Sequence, residues 1–292
     1  MTPAVSIVIV TWNSESTIEE CLSSIVQNPP SEPYEVILID NDSRDRTLEL
    51  AKLACPDLTV IRNASNRGLA AANNQGLGSA LGEFVVISNP DVIYQPSTID
   101  ELINAARRHP RAAFVIPQVR YRDGQIQTSV GDLPSLREAL LGRWAGRRMG
   151  RNNARSGFWW DGWPHDEELM VGRGLECSYL VRAQAVHEVG PQNEKYVLDW
   201  EGPEWSRRVH DAGWEIWFTP SAVAIHVGGV SIKQALPRWI VSSHRGMYMY
   251  FAERTPRPAR PLLALVLAVR VAVKLVGLLR HERVYAAGYE AR

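Results

Sequence analysis

The chain has 292 residues, 45% of them hydrophobic and 22% charged, with 32 basic and 32 acidic side chains. This composition excludes a disordered protein and allows one large α/β domain with an extension. The charge is uneven, because residues 237–292 carry ten Lys or Arg and three Glu, which leaves 22 basic and 29 acidic residues before them. A basic tail on an acidic body predicts contact with an anionic partner.

We expect that partner to be a membrane surface and not nucleic acid, since neither zinc-ligand spacing nor a helix-turn-helix signature is present. Three widely spaced cysteines indicate a reducing compartment and argue against a disulfide framework. No basic segment followed by an apolar run precedes the first strand pattern, which argues against a signal peptide. The expected location is cytoplasmic, at the inner face of the plasma membrane, and no oligomeric state is predicted.

Uniformly apolar runs in the first half of the chain predict strands that are buried on both faces. They are VSIVIV (5–10), YEVILID (34–40), LTVIRN (58–63), EFVVIS (83–88) and AAFVIP (112–117). Helical patterns lie between them, and one of these starts at Ser16, which has capping-box spacing to Glu19. The alternation predicts an α/β fold with an open, doubly wound, mostly parallel sheet.

Polar segments follow the first four strands: TWNS, DNDSRD, NRGLAAANNQG and NPDV, in chain order. Ligands bind at the carboxyl ends of the strands in sheets of this kind. The glycine-rich phosphate motifs of dinucleotide-binding and P-loop folds are absent from the sequence. A divalent metal held by carboxylates would neutralise a phosphate in their place.

Taken together, VSIVIVTWNS, VILIDNDSRD, NRGLAAANNQG, ISNPDV and AVAIHVGGVS resemble the family 2 glycosyltransferases. The resemblance implies a GT-A fold and inverting transfer from a nucleotide sugar. It divides the chain into a transferase domain, 1–231, and a basic amphipathic helical tail, 232–292. Within the domain, 1–121 is the nucleotide-binding half and 122–231 is the acceptor-side half.

The resemblance places the nucleotide-sugar contacts on side chains at the strand ends: Thr11, Asn13, Asp40, Arg67, Asn73, Asn89 and Asp91. Asp40 is suited to accept a hydrogen bond from the imide N–H of uracil or thymine, although a strand-end Asp can also cap a loop or a helix. Arg67 and Asn73 can equally be a surface residue and a packed residue.

The resemblance also implies a metal site. SNPDV is similar to the family's DXD element with Asn89 in place of the first acid, so Asp91 remains as the charged ligand. His226 matches a histidine that binds the metal in some relatives, and a structural histidine is the alternative. The expected ion, Mg²⁺ or Mn²⁺, offsets the charge that develops on the departing nucleoside diphosphate.

The segment VLDWEGPEW contains three carboxylates. The family places an acid pair here, and Gly202 falls where the usual catalytic base would be. Glu201 is the first candidate for the base that takes the acceptor proton, and Asp199 is the second. Alternatively, Glu201 and Glu204 complement the dipole of a helix whose first residue is Pro203, and a rearranged loop brings Asp199 into place.

Glu176 and Trp200 are the expected acceptor contacts. The acceptor half also contains a segment, 141–165, that is rich in Arg and Trp and predicts an anion-contacting loop or a tryptophan-lined core patch. Its members are Arg143, Arg147, Arg148, Arg151, Arg155, Trp159, Trp160 and Trp163.

Residues 261–279 are apolar or Gly apart from Arg270 and Lys274. Each cation would cost roughly 2.5 to 3.5 kcal/mol at the centre of a spanning helix. Both share one helical face with Gly277 and His281, a pattern typical of a helix that lies in the membrane interface. A helix packed on the catalytic domain is the alternative.

The leading hypothesis is therefore an inverting, metal-dependent glycosyltransferase. Its best specific donor is dTDP-rhamnose, and its acceptor is lipid-linked or a polysaccharide precursor. A sugar-phosphate nucleotidyltransferase shares the doubly wound sheet, but TWNSES stands where its glycine-rich loop is expected. A non-catalytic, membrane-bound binder of nucleotide sugars is the third hypothesis.

Overall fold

The structure is a computed structural model, and it describes residues 2–137, 155, 157–197, 199–228 and 236–280. Strands are numbered in chain order: β1 (Val5–Thr11), β2 (Tyr34–Asp40), β3 (Thr59–Arg62), β4 (Phe84–Ser88), β5 (Val92–Tyr94), β6 (Ala112–Arg120), β7 (Ile126–Gln127), β8 (Val130–Gly131), β9 (Leu169–Met170), β10 (Arg173–Gly174), β11 (Ser178–Arg182) and β12 (Glu215–His226). The helices are α1 (Ile18–Gln27), α2 (Thr47–Ala54), α3 (Leu69–Ser79), α4 (Thr98–Arg108), α5 (Ala183–Val189), α6 (Glu201–Asp211), α7 (Leu236–Ala252) and α8 (Arg260–Arg280).

A ten-stranded sheet forms the centre of the domain, in the order β3-β2-β1-β4-β11-β6-β12-β5, with β7 on β6 and β9 on β12. β1 pairs in parallel with β2 and β4, whereas β11 runs antiparallel between β4 and β6. The predicted α/β fold with a mostly parallel sheet is confirmed. The five predicted strands correspond to β1, β2, β3, β4 and β6.

Alternate residues of β1 pack on opposite faces of the sheet. Ile7 and Ile9 belong to a buried cluster that includes α1 and α4 residues. Val8 and Val10 belong to a second cluster that includes residues of α3 and α6. Burial on both faces explains why the run is uniformly apolar and does not alternate with polar residues.

The predicted capping of α1 was wrong. The helix begins at Ile18, and no side-chain cap bond forms at its N-terminus. The amides of Thr17 and Ile18 donate instead to the carbonyl of Ser14. Ser16 therefore lies before the helix, and a turn of the preceding loop supplies the cap that its side chain was expected to give.

The predicted start of α6 was also wrong. The helix begins at Glu201, so Pro203 is its third residue. Trp200 takes a left-handed conformation, with φ of 77°, and its carbonyl accepts from the Glu204 amide at 3.1 Å. Asp199 has the same positive φ. Two consecutive non-glycine residues in this region are uncommon, and such strain is concentrated at functional sites.

The C-terminal helices α7 and α8 pack on the rest of the chain at the loop that carries Asp199 and Trp200. Trp200 lies in a buried cluster with residues of α7 and α8: Met247, Tyr250, Phe251, Leu263 and Leu267. Gly246 permits this contact, because a Cβ there would lie 2.9 Å from Cβ of Trp200. Packing of the tail against the domain, one of the two alternatives from the sequence, is therefore observed for α7 and for one face of α8.

The opposite face of α8 is apolar and exposed. Its outward side chains are between 46% and 64% exposed: Leu262, Leu265, Val269, Val273 and Val276. By length and composition, Arg257–Leu278 could cross a membrane, with a mean hydropathy of 2.2.

Candidate active site

Thr11 and Asp40 lie side by side at the carboxyl ends of β1 and β2. Both are fully buried, and the Thr11 hydroxyl lies 3.4 Å from Oδ1 of Asp40. Asp40 also accepts from the Ser43 amide at 3.2 Å and lies 3.6 Å from the Arg62 guanidinium. The carboxylate therefore stabilises the turn after β2, which is the capping role that the sequence left open, and it stands at the predicted ligand edge of the sheet.

Asn13 joins the loops that follow β1 and β2. Its amide donates to Oγ of Ser43 at 2.9 Å, and its Oδ1 accepts from the Arg44 amide at 2.9 Å. Its φ of 50° is unusual for a residue other than glycine and indicates a constrained loop.

Arg67 and Asn73, which both follow β3, have different environments. The Arg67 side chain is exposed, and its amide donates to Asn41 at 3.1 Å. Asn73 is buried, and its Nδ2 donates to Oε1 of Gln192 at 3.0 Å. Asn73 therefore links α3 to the segment after α5, which favours a role in packing. The exposed Arg67 side chain can approach a ligand.

Asp91 and His226 face each other at the ends of β5 and β12. Oδ1 of Asp91 lies 3.5 Å from Nε2 of His226, and this buried oxygen has no hydrogen-bond partner among the described residues. Nδ1 of His226 lies 3.1 Å from Oε1 of Gln127. Asn89 is held by its amide, which donates to the Cys177 carbonyl at 2.7 Å. In the part of the chain that the structure describes, no group of three or more His, Cys, Asp or Glu residues is arranged to hold a metal.

Three carboxyl groups gather where β11 and α6 begin. Glu176 lies two residues before β11, Glu201 is the first residue of α6, and Asp199 lies two residues before it. Asp199 accepts from the Ser243 hydroxyl at 2.7 Å and from the Trp200 amide at 3.0 Å. Glu201 is only 3% exposed, and its Oε2 has no hydrogen-bond partner among the described residues.

Burial raises the pKa of all three acids, and repulsion by neighbouring carboxylates adds to the rise in Glu176 and Glu201. Burial raises the pKa of Glu176 to about 8, the charge of Asp199 adds to the rise, and Arg173 and the Gly202 amide oppose it. Burial raises the pKa of Glu201 well above its usual range, with Glu176 and Asp199 adding to the rise. The pKa of Asp199 is raised by burial against the Ser243 hydrogen bond. Coupled carboxyl groups with raised pKa values are typical of catalytic sites.

Gly202 leaves the space that Glu176 fills. A Cβ built on Gly202 would lie 1.8 Å from both Cδ and Oε1 of Glu176, so any side chain there would displace the carboxylate. Gly202 also precedes Pro203 within a helix, a position where a Cβ disfavours helical backbone angles. A carboxylate from the segment before β11 thus occupies the space beside Gly202.

Glu204 and Trp200 have structural contacts. Glu204 is buried and lies 2.9 Å from Nε of Arg208 and 4.0 Å from Arg207, both one turn along α6. Trp200 is 3% exposed, and its indole N–H donates to Ser243 at 3.3 Å. These placements do not favour proton transfer by Glu204 or stacking of an acceptor sugar on Trp200.

The Arg-rich and Trp-rich segment is described in part. Trp160 and Trp163 are 6% and 4% exposed and belong to the core, which agrees with the tryptophan-lined patch. Arg155 pairs with Glu167 at 2.6 Å. Four expected anion contacts lie outside the described residues: Arg143, Arg147, Arg148 and Arg151.

The geometry agrees with comparisons of the sequence with known proteins. The model of glycosyl transferase family 2 matches residues 6–160. An N-acetylglucosaminyl-diphospho-decaprenol L-rhamnosyltransferase of Mycobacterium tuberculosis is 28% identical over 265 residues, which is 87% of this chain and 86% of the relative. A dolichol-phosphate mannosyltransferase of Pyrococcus furiosus is 33% identical over 105 residues, 35% of this chain and 30% of the relative.

Solved structures with the same fold include the mannosyltransferase PcManGT of Pyrobaculum calidifontis, in complex with GDP-Man and Mn²⁺, with a TM-score of 0.60 and 18% identity. The match covers 100% of this chain and 79% of that one. GalNAc-T7 with UDP, GalNAc and Mn²⁺ gives a TM-score of 0.58 at 17% identity, over 86% of this chain and 50% of that one. The family match spans more than half of the chain, so the protein is a glycosyltransferase that belongs to glycosyl transferase family 2.

Proposed function

We propose that the protein transfers a sugar, with inversion, from a nucleoside-diphosphate sugar to a lipid-linked acceptor. The observation that carries this proposal is the Glu176 carboxylate in the space left by Gly202. An inverting transfer needs one base that takes the acceptor proton while the hydroxyl oxygen attacks the anomeric carbon. The donor that we propose is dTDP-rhamnose, because the relative that matches most of the chain is a rhamnosyltransferase.

Glu176 is the base in this mechanism, in preference to Glu201. It is partly exposed, and its pKa of about 8 is close to a neutral working pH, which suits a group that must accept a proton. Glu201 is more deeply buried, and burial with the charges of Glu176 and Asp199 raises its pKa well above its usual range, which favours its protonated form. Asp199, held by Ser243, adjusts the proton affinity of Glu176 through its charge.

The residues at the end of β5 fit a divalent metal. Oδ1 of Asp91 has no hydrogen-bond partner among the described groups, and Nε2 of His226 faces it. These two atoms would hold Mg²⁺ or Mn²⁺, and substrate phosphates would supply further oxygen ligands. When bound, the metal neutralises charge on the nucleoside diphosphate. Two solved structures with this fold contain Mn²⁺.

The exposed apolar face of α8 supports a peripheral position on the cytoplasmic face of the membrane, where a lipid-linked acceptor is accessible. The acceptor that we propose is an N-acetylglucosaminyl lipid joined through a diphosphate, as the name of the Mycobacterium tuberculosis relative describes for that enzyme.

The test is a transfer assay with the full chain, labelled dTDP-rhamnose and an N-acetylglucosaminyl-diphospho-prenol, in parallel with labelled UDP and GDP sugars. We expect a rhamnosyl product whose anomeric configuration is opposite to that of the donor. Retention of configuration would contradict the single-base mechanism. Formation of a sugar 1-phosphate and a nucleoside triphosphate when pyrophosphate is added would indicate a nucleotidyltransferase, and donor binding with no product would indicate a binding protein.

A further inference from the structure

The orientation of α8 is the reverse of that expected for a surface helix of a soluble protein. Val269 and Val273 are 54% and 64% exposed, whereas Arg270 and Lys274 are partly buried on the inner side. A surface helix normally turns its charged residues to water and its apolar residues to the core. The arrangement suits a helix whose outer face contacts lipid and whose inner face presents two cations to the catalytic domain.

These inner cations are poorly compensated. Nη1 of Arg270 is buried without a hydrogen-bond partner among the described residues, and burial alone lowers the pKa of its guanidinium. Burial and Arg270 lower the pKa of Lys274, and only the charge of Asp199 opposes them. Two partly buried like charges with only one carboxylate near them are costly, so a site of this kind favours an anion.

His244 of α7 belongs to the same group. It is 3% exposed, its Nδ1 donates to the Ile240 carbonyl at 2.8 Å, and its Nε2 has no partner among the described residues. Burial, with the charges of Lys274 and Arg270, lowers its pKa to about 4. The polar atoms that face this site are therefore two cationic groups and one neutral imidazole.

The cations are close to the acid cluster. The positive charge of Lys274 lowers the pKa of Asp199, and Ser243, one residue before His244, donates to Asp199 at 2.7 Å. Moving outward from Glu176, the protein thus presents carboxyl groups, then cations, then an exposed apolar helix face. A lipid-linked acceptor has its parts in the same order: a sugar hydroxyl, a diphosphate and a prenyl chain.

We propose that Arg270 and Lys274 bind the diphosphate of the acceptor and so position its sugar at Glu176. The proposal rests on the proposed function for the identity of the acceptor. The site itself requires only a diphosphate attached to a lipid. The alternative source of a phosphate here is the headgroup of a bulk anionic lipid.

The test compares variants of the full chain. The inner charges are removed singly and together by Arg270→Gln, Lys274→Gln and the double variant. Arg270→Lys keeps the positive charge at position 270. The control, Arg257→Gln, removes an exposed cation just before the same helix. The probe is farnesyl diphosphate, with farnesol as the uncharged control, and binding is measured by calorimetry in detergent. Thermal unfolding confirms that each variant folds.

Each inner variant should bind farnesyl diphosphate about ten to a hundredfold more weakly, as expected for loss of a charged hydrogen bond. Arg270→Lys should recover part of the loss, and farnesol binding and Arg257→Gln should be unchanged. In the transfer assay, the KM for the diphospho-lipid acceptor should rise, while the KM for the donor and for an alkyl N-acetylglucosaminide stays the same. Unchanged diphosphate binding, or an equal loss with farnesol, would overturn the proposal.

Sedimentation with phosphatidylglycerol vesicles separates the two sources of phosphate. A headgroup site would make Arg257→Gln and the inner variants lose vesicle binding equally, and that result would also overturn the proposal. Binding of farnesyl diphosphate through the inner pair without any sugar transfer would leave this site standing and refute the proposed function. Sugar transfer that is unchanged when Arg270 and Lys274 are replaced would refute this site and leave the proposed function standing.

Discussion

The place of Glu176 leads to a prediction about pH. With a pKa of about 8, Glu176 is roughly one tenth ionised at pH 7 and about nine tenths ionised at pH 9. A base acts in its deprotonated form, so kcat/KM should rise about tenfold over this interval. Glu176→Gln should lower turnover by about 10² to 10⁴ and leave donor binding intact.

The neighbours of Glu176 predict how the pH profile moves. Because the charge of Asp199 raises the pKa of Glu176, Asp199→Asn should shift the midpoint to lower pH. Arg173 opposes the rise, so Arg173→Gln should shift the midpoint to higher pH. Opposite shifts from two substitutions in one site are not expected from a general loss of structure.

Because the Glu176 carboxylate lies against Gly202, an acid introduced at position 202 could take its place. Gly202→Ala should inactivate the enzyme although every acid is retained, because the new Cβ would lie 1.8 Å from the Glu176 carboxyl carbon. Glu176→Ala combined with Gly202→Asp returns an acid to the vacated space. Pro203→Ala is added both to the variant with Glu176→Ala and Gly202→Asp and to the Glu176→Ala variant with which it is compared. The reason is that a residue with a Cβ before proline resists the helical conformation.

The assay is turnover at saturating donor from pH 6 to 9.5, with donor affinity measured separately by calorimetry. Recovery of at least about tenfold over Glu176→Ala would support a base whose position matters more than its place in the chain. Three results together would refute the mechanism: near-normal turnover in Glu176→Gln, a large loss in Glu201→Gln, and a pH profile that Asp199→Asn does not move.

The remaining predictions concern the metal, the membrane and stability. Asp91→Ala should abolish transfer and His226→Ala should raise the Mn²⁺ concentration required, whereas full activity of both variants after chelation would remove the metal from the reaction. Leu265→Glu with Val269→Glu, both on the exposed face of α8, should release the protein from anionic vesicles and leave transfer to a water-soluble acceptor unchanged; unchanged sedimentation would contradict the interfacial helix. Glu176→Gln should raise the thermal midpoint at pH 9 but not at pH 5. The sign follows because the folded protein keeps the Glu176 proton up to about pH 8, whereas the unfolded chain releases it near 4.5. Wild-type stability therefore falls as the pH rises between these values, and equal midpoints at pH 9 would contradict the raised pKa of this acid.

The strands were predictable from the sequence because the apolar residues that bury a strand lie next to one another in the chain. The central positions of β1, β2 and β4 are apolar on both faces, and only a sheet covered on both faces buries such a run. The insertion of β11 between β4 and β6 was not predictable in this way, because Ser178–Arg182 is short and strand order depends on distant partners.

The resemblance to family 2 was sufficient to pair Asp91 with His226, which lie 3.5 Å apart in the structure. It could identify the missing side chain at Gly202 but not the group that replaces it. That replacement depends on which residue of a separate element reaches a given volume, and a single sequence carries no signal of such a contact.

The sequence showed that Arg270 and Lys274 share one face of a helix, but periodicity does not say whether that face meets water or protein. The structure assigns the face to the protein through two contacts. Leu263 and Leu267, on the same side as the cations, pack in the cluster that contains Trp200, and Ser243 of the neighbouring helix holds Asp199. The tail therefore contacts the acid cluster directly, so its attachment to a membrane and the geometry of the carboxyl groups are not independent. A change that lifts α8 from the domain would remove the positive charge of Lys274, which lowers the pKa of Asp199, and would thereby alter the charge that raises the proton affinity of Glu176.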